Sequence, residues 1–588
     1  MNIPKLKFWQ AKVNEGTLDA LPTIVNVLQY RAKLQGDKVA FIYLKDGETE
    51  TASITYRELN KEAQRVAASL QARGLNGEQV LLLYPSGIEF IKAFVGCLYA
   101  GAIAVPATAP RNKRALGRLR SIIEDATPQL VLTSTSVLNN IQVDIIGTDL
   151  GSIKCITLDT LTQNETQKWQ PMPLTGRSLA FIQYTSGSTA DPKGVMIDHS
   201  NLLANNRMIR NAFNSPENNV FVSWLPMFHD MGLLGNMLQI IYTGAKCIFM
   251  PPEAFLMKPL RWLQAIEKYQ AITSGGPNFA YDLCLRRISD AQLSKLNLDS
   301  WKIAYVGAEP VRAATMSKFE ERFAPTRLKQ STLYPCYGMA EACLFISGNK
   351  SGSGAIREYF NTVALSNGIA TLTHETNDSH SRTLVSCGHG WLGLEIKIVD
   401  PSTCSLLPNS RVGEIWVSGD NIVQGYWNNP EATENTFNAT IQGNPKQRYL
   451  RTGDLGFIHK GSLYISGRLK DLIIVAGRNH HPVDIEHTTE QCHEVIRPGG
   501  TAVFSVDMED RENLIVATEL ERTARNIDIQ AIEKTIRSAI SIEHDLMVHD
   551  IVFLKPATCP KTSSGKVMRH ACKLAWQQHK LTLWGKTK

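Results

Sequence analysis

The sequence lacks the features by which membrane, secreted and zinc-binding proteins are usually recognised. Its 588 residues contain no apolar run near the ~20 residues that span a bilayer. The first ten residues, MNIPKLKFWQ, have neither an apolar signal core nor a small-residue cleavage site, so we expect no secretion. The 11 cysteines are odd in number and form no CxxC pair. That pattern favours reduced thiols in a cytoplasm over a disulfide framework or a zinc cluster.

The sequence also lacks a strong excess of one charge, because 62 basic residues and 55 acidic residues leave a net charge of only +7. The one dense basic run is RNKRALGRLR, Arg111–Arg120. It is either a solvated helix face or a contact for phosphate or an acidic partner. There is no zinc finger and no basic-aromatic stripe, so we expect no nucleic-acid partner.

Short apolar runs alternate with helical patterns along most of the chain. Four runs predict buried strands: QVLLLY (Gln79–Tyr84), LAFIQY (Leu179–Tyr184), AKCIFM (Ala245–Met250) and KIAYVG (Lys302–Gly307). The stretches Tyr56–Gly74 and Pro259–Tyr269 have helical periodicity. This alternation predicts an α/β protein with parallel-rich sheets covered by helices.

The pattern changes near GRLKDLIIVAGRNHHP, Gly467–Pro482. Beyond it lie two predicted strands, TAVFSV and LIVATEL, and a helix with isoleucines on one stripe. We therefore predict a large N-terminal domain over residues 1–468, a hinge over 469–474, and a small, mobile α+β domain over 475–588.

A loop rich in glycine and hydroxyl groups, YTSGSTADPKGV (Tyr184–Val195), follows one of the predicted strands. Glycine lets backbone N–H groups turn toward an anion, and hydroxyls and a lysine add donors. A flexible linker has the same composition, and the Walker spacing does not fit. The buried strand ahead of the loop favours an anion site, since ligands bind at the carboxyl ends of parallel strands.

Seven further motifs follow in order: WLPMFHDMG (Trp224–Gly232), GAEP (Gly307–Pro310), YPCYGMAEA (Tyr334–Ala342), GEIWVSG (Gly413–Gly419), YLRTGDLG (Tyr449–Gly456), GRLKDLIIVAG (Gly467–Gly477) and PKTSSGKV (Pro560–Val567). With the glycine-rich loop, this series resembles the signatures of the adenylate-forming enzymes, which include acyl-CoA synthetases, adenylation domains and luciferases. The resemblance covers nearly the whole chain. It implies an acyl-adenylate synthetase fold, with a distorted β-barrel subdomain in the large domain.

The resemblance also implies a binding site for ATP or AMP with Mg²⁺. Its nucleotide-binding residues would be Thr185, Ser186, Gly187, Ser188, Thr189, Lys193, Gly307, Ala308, Glu309, Tyr337, Gly338, Met339, Asp454 and Arg468. The loop residues would hold the β- and γ-phosphates, and Tyr337 would stack on the base.

The resemblance also implies roles for two carboxylates and a histidine, and each of these residues has an alternative interpretation. Asp454 would accept the ribose hydroxyls, although an Asp in a TGD turn is most often structural. Glu341 would bind Mg²⁺, a hard cation, although it could be only an exposed acid. His229 is interpreted as a wall or gate of the acyl pocket. A relay with Asp230 is not expected, because neighbouring residues of a strand point to opposite faces.

Lys566 is the predicted catalytic residue. As a bare pattern it is one lysine among many, but the resemblance places it in the cleft between the attacking carboxylate and the α-phosphate. Gly275 and Gly276 would line the substrate pocket by close backbone approach, although a plain turn explains them nearly as well.

The substrate is predicted to be a fatty acid, because GLLGNMLQIIY (Gly232–Tyr242) offers no carboxylate to an amino group. An extended stretch, residues 346–386, matches the place where fatty acyl-AMP ligases carry an insertion. In that branch the insertion is thought to restrain the small domain and exclude CoA. The predicted acceptor is therefore the phosphopantetheine of a separate acyl carrier protein. A fatty acyl-CoA ligase with an incidental insertion and a non-catalytic nucleotide-binding module stay open.

Overall fold

The computed structural model describes residues 18–109, 113–139, 153–161, 168–185, 192–216, 218–373, 381–475, 478–508, 511–524, 527–544, 546–562 and 565–585. These residues form three parts, which we call the large unit (residues 18–348), the antiparallel unit (357–468) and the small unit (473–585). All 11 cysteines are free thiols, as expected from their number and spacing.

The large unit contains two sheets made mostly of parallel strands. Its strands are β1 (Val39–Leu44), β2 (Glu50–Thr55), β3 (Gln79–Leu83), β4 (Ile103–Ala107), β5 (Leu130–Thr133), β6 (Cys155–Thr157), β7 (Leu179–Tyr184), β8 (Gly194–Asp198), β9 (Val220–Ser223), β10 (Lys246–Phe249), β11 (Thr273–Gly276), β12 (Ile303–Val306), β13 (Leu333–Gly338) and β14 (Phe345–Gly348). One sheet has the order β14-β13-β12-β11-β9-β10-β1-β2 and the other β6-β5-β3-β4-β7-β8. Antiparallel pairs occur at the edges, in β1–β2, β13–β14 and β7–β8.

Helices cover these sheets. They are α1 (Ile24–Leu34), α2 (Tyr56–Gln71), α3 (Ile88–Ala100), α4 (Lys113–Ala126), α5 (Leu158–Leu161), α6 (His199–Ala212), α7 (Asp230–Gly232), α8 (Gln239–Thr243), α9 (Pro252–Met257), α10 (Leu260–Lys268), α11 (Asn278–Arg287), α12 (Asp290–Leu293) and α13 (Ala313–Phe323). A π-helical segment, Leu233–Leu238, joins α7 to α8. Short 3₁₀ turns lie at Leu18–Ala20, Ala324–Thr326, Gln330–Thr332 and Ala340–Ala342.

Helix α2 shows why the predicted helices form. A capping box closes its first turn, since Thr55 Oγ1 accepts from the Glu58 amide and Glu58 Oε2 from the Thr55 amide. Its apolar stripe includes Val66, which is buried. Gly96 of α3 lies against Val66 so closely that a Cβ atom there would overlap it. The glycine therefore lets two helices pack at short range over the sheet.

The antiparallel unit occupies the place of the predicted β-barrel subdomain. Its strands and helices are β15 (Arg357–Asn361), α14 (Thr362–Ser366), β16 (Ser381–Val385), β17 (Glu395–Val399), β18 (Gly413–Ser418), α15 (Pro430–Phe437), β19 (Ala439–Ile441), β20 (Asn444–His459) and β21 (Ser462–Arg468). Strands β17, β18, β20 and β19 form one sheet in that order, and β21 pairs with β20. Strands β15 and β16 pair with each other, and a bridge from Ser386 to Tyr464 connects them to β21.

The small unit follows a 3₁₀ turn at Leu469–Asp471. It contains β22 (Ile473–Val475), β23 (Arg478–His480), α16 (Pro482–Gln491), β24 (Ile496–Met508), β25 (Arg511–Leu520), α17 (Ile529–His544), β26 (Val548–Leu554) and α18 (Arg569–Gln577). Strands β24 and β25 are antiparallel and β25 and β26 are parallel. The predicted isoleucine stripe is buried at Ile532, Ile536 and Ile540, in an apolar cluster separate from that of the large unit.

The mixed α/β fold predicted from the alternation is confirmed. The strand LAFIQY has its predicted bounds, and the other three lie within one or two residues of theirs. Among the residues that the structure describes, no helix has the length and apolarity needed to cross a bilayer.

The isoleucine stripe predicts a contrast within one helix. Ile536 is 0% exposed and Ile542 is 73% exposed. Truncating Ile536 to Ala should lower the free energy of unfolding of the small unit by about 2–5 kcal/mol, because it leaves a cavity. Native-state hydrogen exchange of the β25 amides measures this loss. Ile542→Ala is the matched control and should change stability by less than about 0.5 kcal/mol. Equal effects would contradict the packing described.

Candidate active site

The predicted site residues come from the carboxyl ends of strands in the large unit, from the antiparallel unit and from the small unit. Asp230 follows β9, Glu309 follows β12 and Glu341 follows β13. Asp454 lies in β20 and Arg468 ends β21. The charges of Asp230, Glu309, Asp454 and Arg468 all act on Lys566 of the small unit. Segments far apart in sequence thus meet in one cleft.

Asp454 is the centre of a polar triad. The Tyr337 hydroxyl donates to its Oδ2 at 2.7 Å, and Arg468 Nε donates to its Oδ1 at 2.8 Å. The antiparallel register pairs Asp454 with Arg468 directly, and the Thr452 hydroxyl accepts from the Asp454 amide. The Asp454 charge raises the pKa of Arg468 and outweighs the effect of burial. The site therefore holds a fixed carboxylate with lone pairs left for further donors.

Lys566 lies on a tight loop that contacts the large unit. The Thr562 amide donates to the Lys566 carbonyl at 2.8 Å, and the Thr562 hydroxyl accepts from the Lys566 amide at 3.1 Å. Gly565, at φ 85°, packs against Phe279 of α11. Burial lowers the pKa of Lys566, and the charge of Asp230 is the strongest influence in the opposite direction.

His229 and Asp230 contact each other, with 2.5 Å between His229 Nδ1 and Asp230 Oδ1. The expectation that they point to opposite faces is wrong, because β9 ends at Ser223 and His229 caps the short helix α7 instead. Burial disfavours the charged form of Asp230, but contact with His229 and the charge of Lys566 outweigh it, and the pKa of Asp230 falls to about 2. The low pKa favours an ionised Asp230, whose charge acts on Lys566.

Glu341 is half-buried and accepts a hydrogen bond from a residue that the sequence did not single out. Burial raises its pKa, and the hydrogen bond from the Tyr426 hydroxyl, 2.8 Å from Oε1, acts in the opposite direction. Among the described residues there is no cluster of three or more His, Cys, Asp or Glu side chains suited to a metal ion. A cation here would therefore need further ligands, such as phosphate oxygens. A half-buried carboxylate outside any such cluster fits Mg²⁺ that arrives already bound to nucleotide phosphates.

The described ends of the phosphate-type loop lie close together. The Thr185 amide donates to the Lys193 carbonyl at 3.1 Å, and the Lys193 ammonium lies 4.6 Å from the ring centre of Tyr426. Ser186, Gly187, Ser188 and Thr189 fall outside the described residues. Arg118 of α4 donates to the Thr185 carbonyl at 2.9 Å. Part of the basic run therefore faces the loop, as the phosphate interpretation of that run requires.

The glycines and their neighbours have packing reasons of their own. Gly275 and Gly276 lie in strand β11 rather than a turn. A Cβ at Gly276 would lie 2.7 Å from the Trp224 ring. A Cβ at Gly307 would lie 3.1 Å from the Cys336 carbonyl, and one at Gly338 would overlap the Leu344 carbonyl. Close contacts within the protein thus favour glycine strongly at Gly275, Gly276 and Gly338, whereas the contact at Gly307 is only tight.

Two further backbone positions lie beside the cleft. Ala308 adopts a left-handed conformation, φ 72°, which costs a non-glycine residue about 1–2 kcal/mol. Met339 is extended and caps the 3₁₀ turn that carries Glu341.

Ion pairs join the small unit to the rest of the protein. Arg312, which follows the GAEP motif, lies 3.7 Å from Glu490 of α16, and Arg286 of α11 lies 3.7 Å from Glu521. Arg569 of α18 pairs with Glu486 of α16 and with Asp471 of the predicted hinge. Sequence reasoning missed Arg312 and Tyr426, because each acts through a partner distant in the chain, whereas Arg118 lies in the basic run for which a phosphate contact was one of the two interpretations.

Comparison with known proteins gives family matches along most of the chain. The family described as AMP-binding enzyme matches residues 28–427. The family described as Disco-interacting protein 2-like, AMP domain, matches residues 470–586.

Individual relatives are similar over nearly their whole length. The chain is 41% identical over 569 residues to the medium-chain-fatty-acid–[acyl-carrier-protein] ligase JamA of Moorena producens, covering 96% of each protein. It is 35% identical to the ligase of the same description, TtuA, of Teredinibacter turnerae, covering 96% of this chain and 95% of TtuA. A crystal structure of a fatty acyl-adenylate ligase from L. pneumophila, in complex with acyl adenylate and pyrophosphate, superimposes with a TM-score of 0.75 at 38% identity, covering 96% and 97% of the two chains.

The ion pairs across the cleft predict that Arg312 holds the small unit more firmly than Arg286. Glu490 is 7% exposed, whereas Glu521 is 34% exposed at the same pair distance. Arg312→Ala removes the counter-ion of a buried carboxylate that keeps only backbone donors such as the Thr501 amide, 3.4 Å away, and should weaken docking by about 1–3 kcal/mol. Faster hydrogen exchange of the α16 amides measures this. The control Arg286→Ala should change it by less than about 1 kcal/mol. A larger effect in the control variant would contradict the assignment.

Proposed function

Because this chain belongs to the AMP-binding enzyme family, in its fatty acyl-AMP ligase branch, we propose that it activates a medium- or long-chain fatty acid. The carboxylate attacks the α-phosphate of ATP, an acyl-phosphate bond forms, and pyrophosphate leaves. The acyl group then passes to the phosphopantetheine thiol of a separate acyl carrier protein, and AMP and a proton are released. The observation that carries this proposal is the convergence of Lys566, Asp454 and Glu341 on one cleft.

Lys566 supplies the catalytic charge in the first step. Two anions approach each other when a carboxylate attacks a phosphate, so a cation placed between them lowers the barrier. A single preorganised donor of this kind contributes about 3–4 kcal/mol. Asp230 helps to hold the charge of Lys566 in the buried cleft before substrates arrive. Asp454 accepts the ribose hydroxyls, and Arg468 holds that carboxylate in place.

Glu341 would hold Mg²⁺ together with the phosphate oxygens of the nucleotide, and the bound cation would supply positive charge beside the departing pyrophosphate. Lys193 and the hydroxyl groups of the glycine-rich loop bind the same phosphates, and Tyr337 lies against the base. His229, Gly275 and Gly276 border the acyl pocket. Next to Gly276, the buried Trp224 stacks on Phe255 with ring centres 4.1 Å apart, and an apolar surrounding of this kind suits a fatty chain.

The role of Lys566 is tested by Lys566→Ala. This variant should form acyl-AMP at least about 100-fold more slowly, measured as pyrophosphate release with dodecanoate, and should still bind ATP in calorimetry. Lys580→Ala removes an exposed lysine of the same unit and is the matched control. Turnover of Lys566→Ala near that of the control would refute the catalytic assignment.

The candidate insertion, residues 346–386, supports a carrier protein as acceptor. Arg382 of β16 lies 2.9 Å from Asp484 of α16 and donates to the Ser466 carbonyl just before the hinge. Arg357 of β15 lies 2.8 Å from Glu320 of the large unit. The segment thus contacts both sides of the cleft. We propose that it restrains rotation of the small domain about residues 469–474 and so disfavours CoA.

The acceptor is tested by incubating the protein with radiolabelled dodecanoate and Mg·ATP, with and without CoA. Acyl-AMP should persist in the presence of CoA. Arg382→Ala releases the contact with Asp484 and should increase acyl-CoA formation, whereas the control Arg448→Ala, at an exposed arginine of the antiparallel unit, should not. Efficient acyl-CoA formation by the unaltered protein would instead make it a fatty acyl-CoA ligase.

A further inference from the structure

Tyr426 lies between the two groups that would bind the metal and the phosphates, and the inference about it rests on the proposed function. Its hydroxyl donates to Glu341 Oε1 at 2.8 Å. The face of its ring lies 4.6 Å from the Lys193 ammonium. Tyr426 is 6% exposed, whereas Glu341 and Lys193 are half-buried. No motif of the sequence analysis includes Tyr426.

The backbone around Tyr426 is attached to the strand that carries Lys193. The Met196 amide donates to the Gly425 carbonyl at 3.0 Å, and the Trp427 amide donates to the Gly194 carbonyl at 2.7 Å. Val195 and Tyr426 form a β-bridge. The segment therefore extends the edge of the sheet beside β8, and Tyr426 moves together with the end of the phosphate-type loop.

Side chains of α15 fix the ring of Tyr426. The Thr433 hydroxyl accepts from the Tyr426 amide at 2.9 Å. The Phe437 ring packs against that of Tyr426 edge-on, with centres 5.2 Å apart and planes at 69°. These contacts restrict the ring to an orientation in which its hydroxyl reaches Glu341, with Thr436 of α15 as a second partner.

The hydroxyl contact orients Glu341 before any cation arrives. A hydrogen bond to a charged acceptor is stronger than one to a neutral acceptor. Because the Tyr426 hydroxyl takes up Oε1, the carboxylate is held in one rotamer rather than rotating freely. The Glu341 backbone is fixed as well, since its carbonyl accepts from the Val423 amide at 3.2 Å, three residues before Tyr426.

The ring contact serves the second group. An ammonium over an aromatic face is attracted by the electron-rich ring, and this attraction holds Lys193 near the loop without neutralising its charge. A nucleotide phosphate can then take the ammonium at small cost. One side chain thus sets the positions of a carboxylate for Mg²⁺ and a cation for phosphate.

We infer that Tyr426 is a positioning residue that couples the binding of Mg²⁺ to the binding of nucleotide triphosphate. Its hydroxyl acts on the metal side through Glu341, and its ring acts on the phosphate side through Lys193. The two effects can be separated by substitution, because Phe retains the ring and loses only the hydroxyl.

The experiment measures ATP binding by calorimetry in the full-length protein, once with excess Mg²⁺ and once with EDTA. In EDTA, Tyr426→Phe should bind ATP with an affinity within about twofold of the unaltered protein. The factor by which Mg²⁺ increases the ATP affinity should be about 10-fold smaller in this variant. Tyr426→Leu, which lacks the ring as well, should also bind more weakly in EDTA. Glu341→Gln combined with Tyr426→Phe should lose no more of the Mg²⁺ gain than Glu341→Gln alone.

Tyr449→Phe is the matched control. It removes another tyrosine–glutamate hydrogen bond, 3.1 Å from the Tyr449 hydroxyl to Glu395 Oε2, on β17 and β20, and should leave both ATP affinities unchanged. If Tyr426→Phe keeps the full increase in ATP affinity that Mg²⁺ provides, the inference is overturned and the proposed function is not affected. Equal weakening with Mg²⁺ and with EDTA also overturns it, since that would indicate a general packing role. If the unaltered protein binds no Mg·ATP, the proposed function fails and the inference fails with it.

Discussion

Charge buried in the cleft is the constraint on which the assembly of the three units depends. Burial raises the pKa of Glu341 and lowers that of Lys566, so neither group keeps its charge easily in isolation. The large unit contributes Asp230 and Glu341, whereas Arg468 comes from the antiparallel unit and Lys566 from the small unit. The charges are balanced only when all three units meet. The site is therefore a property of the assembled chain and of no single unit.

The same logic governs the interface around the cleft. Arginines of the large and antiparallel units face carboxylates of the small unit in the pairs Arg312–Glu490, Arg286–Glu521 and Arg382–Asp484. The apolar cluster of the small unit is meanwhile separate from the main core. Polar interfaces exchange partners with water at modest cost, so they permit domains to move. An interface of this kind suits the two successive steps of the proposed reaction.

Much of the fold could be predicted from local sequence, whereas the contacts within the site could not. Apolar runs and helical stripes depend on residues a few positions apart, so Leu179–Tyr184 was predicted with its observed bounds. The triad of Tyr337, Asp454 and Arg468 needs the register of β20 and β21 and a hydrogen bond across 117 residues. His229 and Asp230 were predicted to point to opposite faces, which is wrong, because strand alternation was applied beyond the end of β9.

By itself, the sequence determined the element types, the α/β class and the order of motifs that places the chain in its family. These features depend on the periodicity of apolar residues over short distances and on short motifs of consecutive residues. Only the tertiary structure decided which charges share the cleft and which residues position them. Tyr426 reaches Glu341 across 85 residues, and Arg118 reaches Thr185 across 67. The physical reason is that Coulomb and hydrogen-bond energies depend on distance in space. That distance is determined by the packing of helices and sheets, and the spacing along the chain does not determine it.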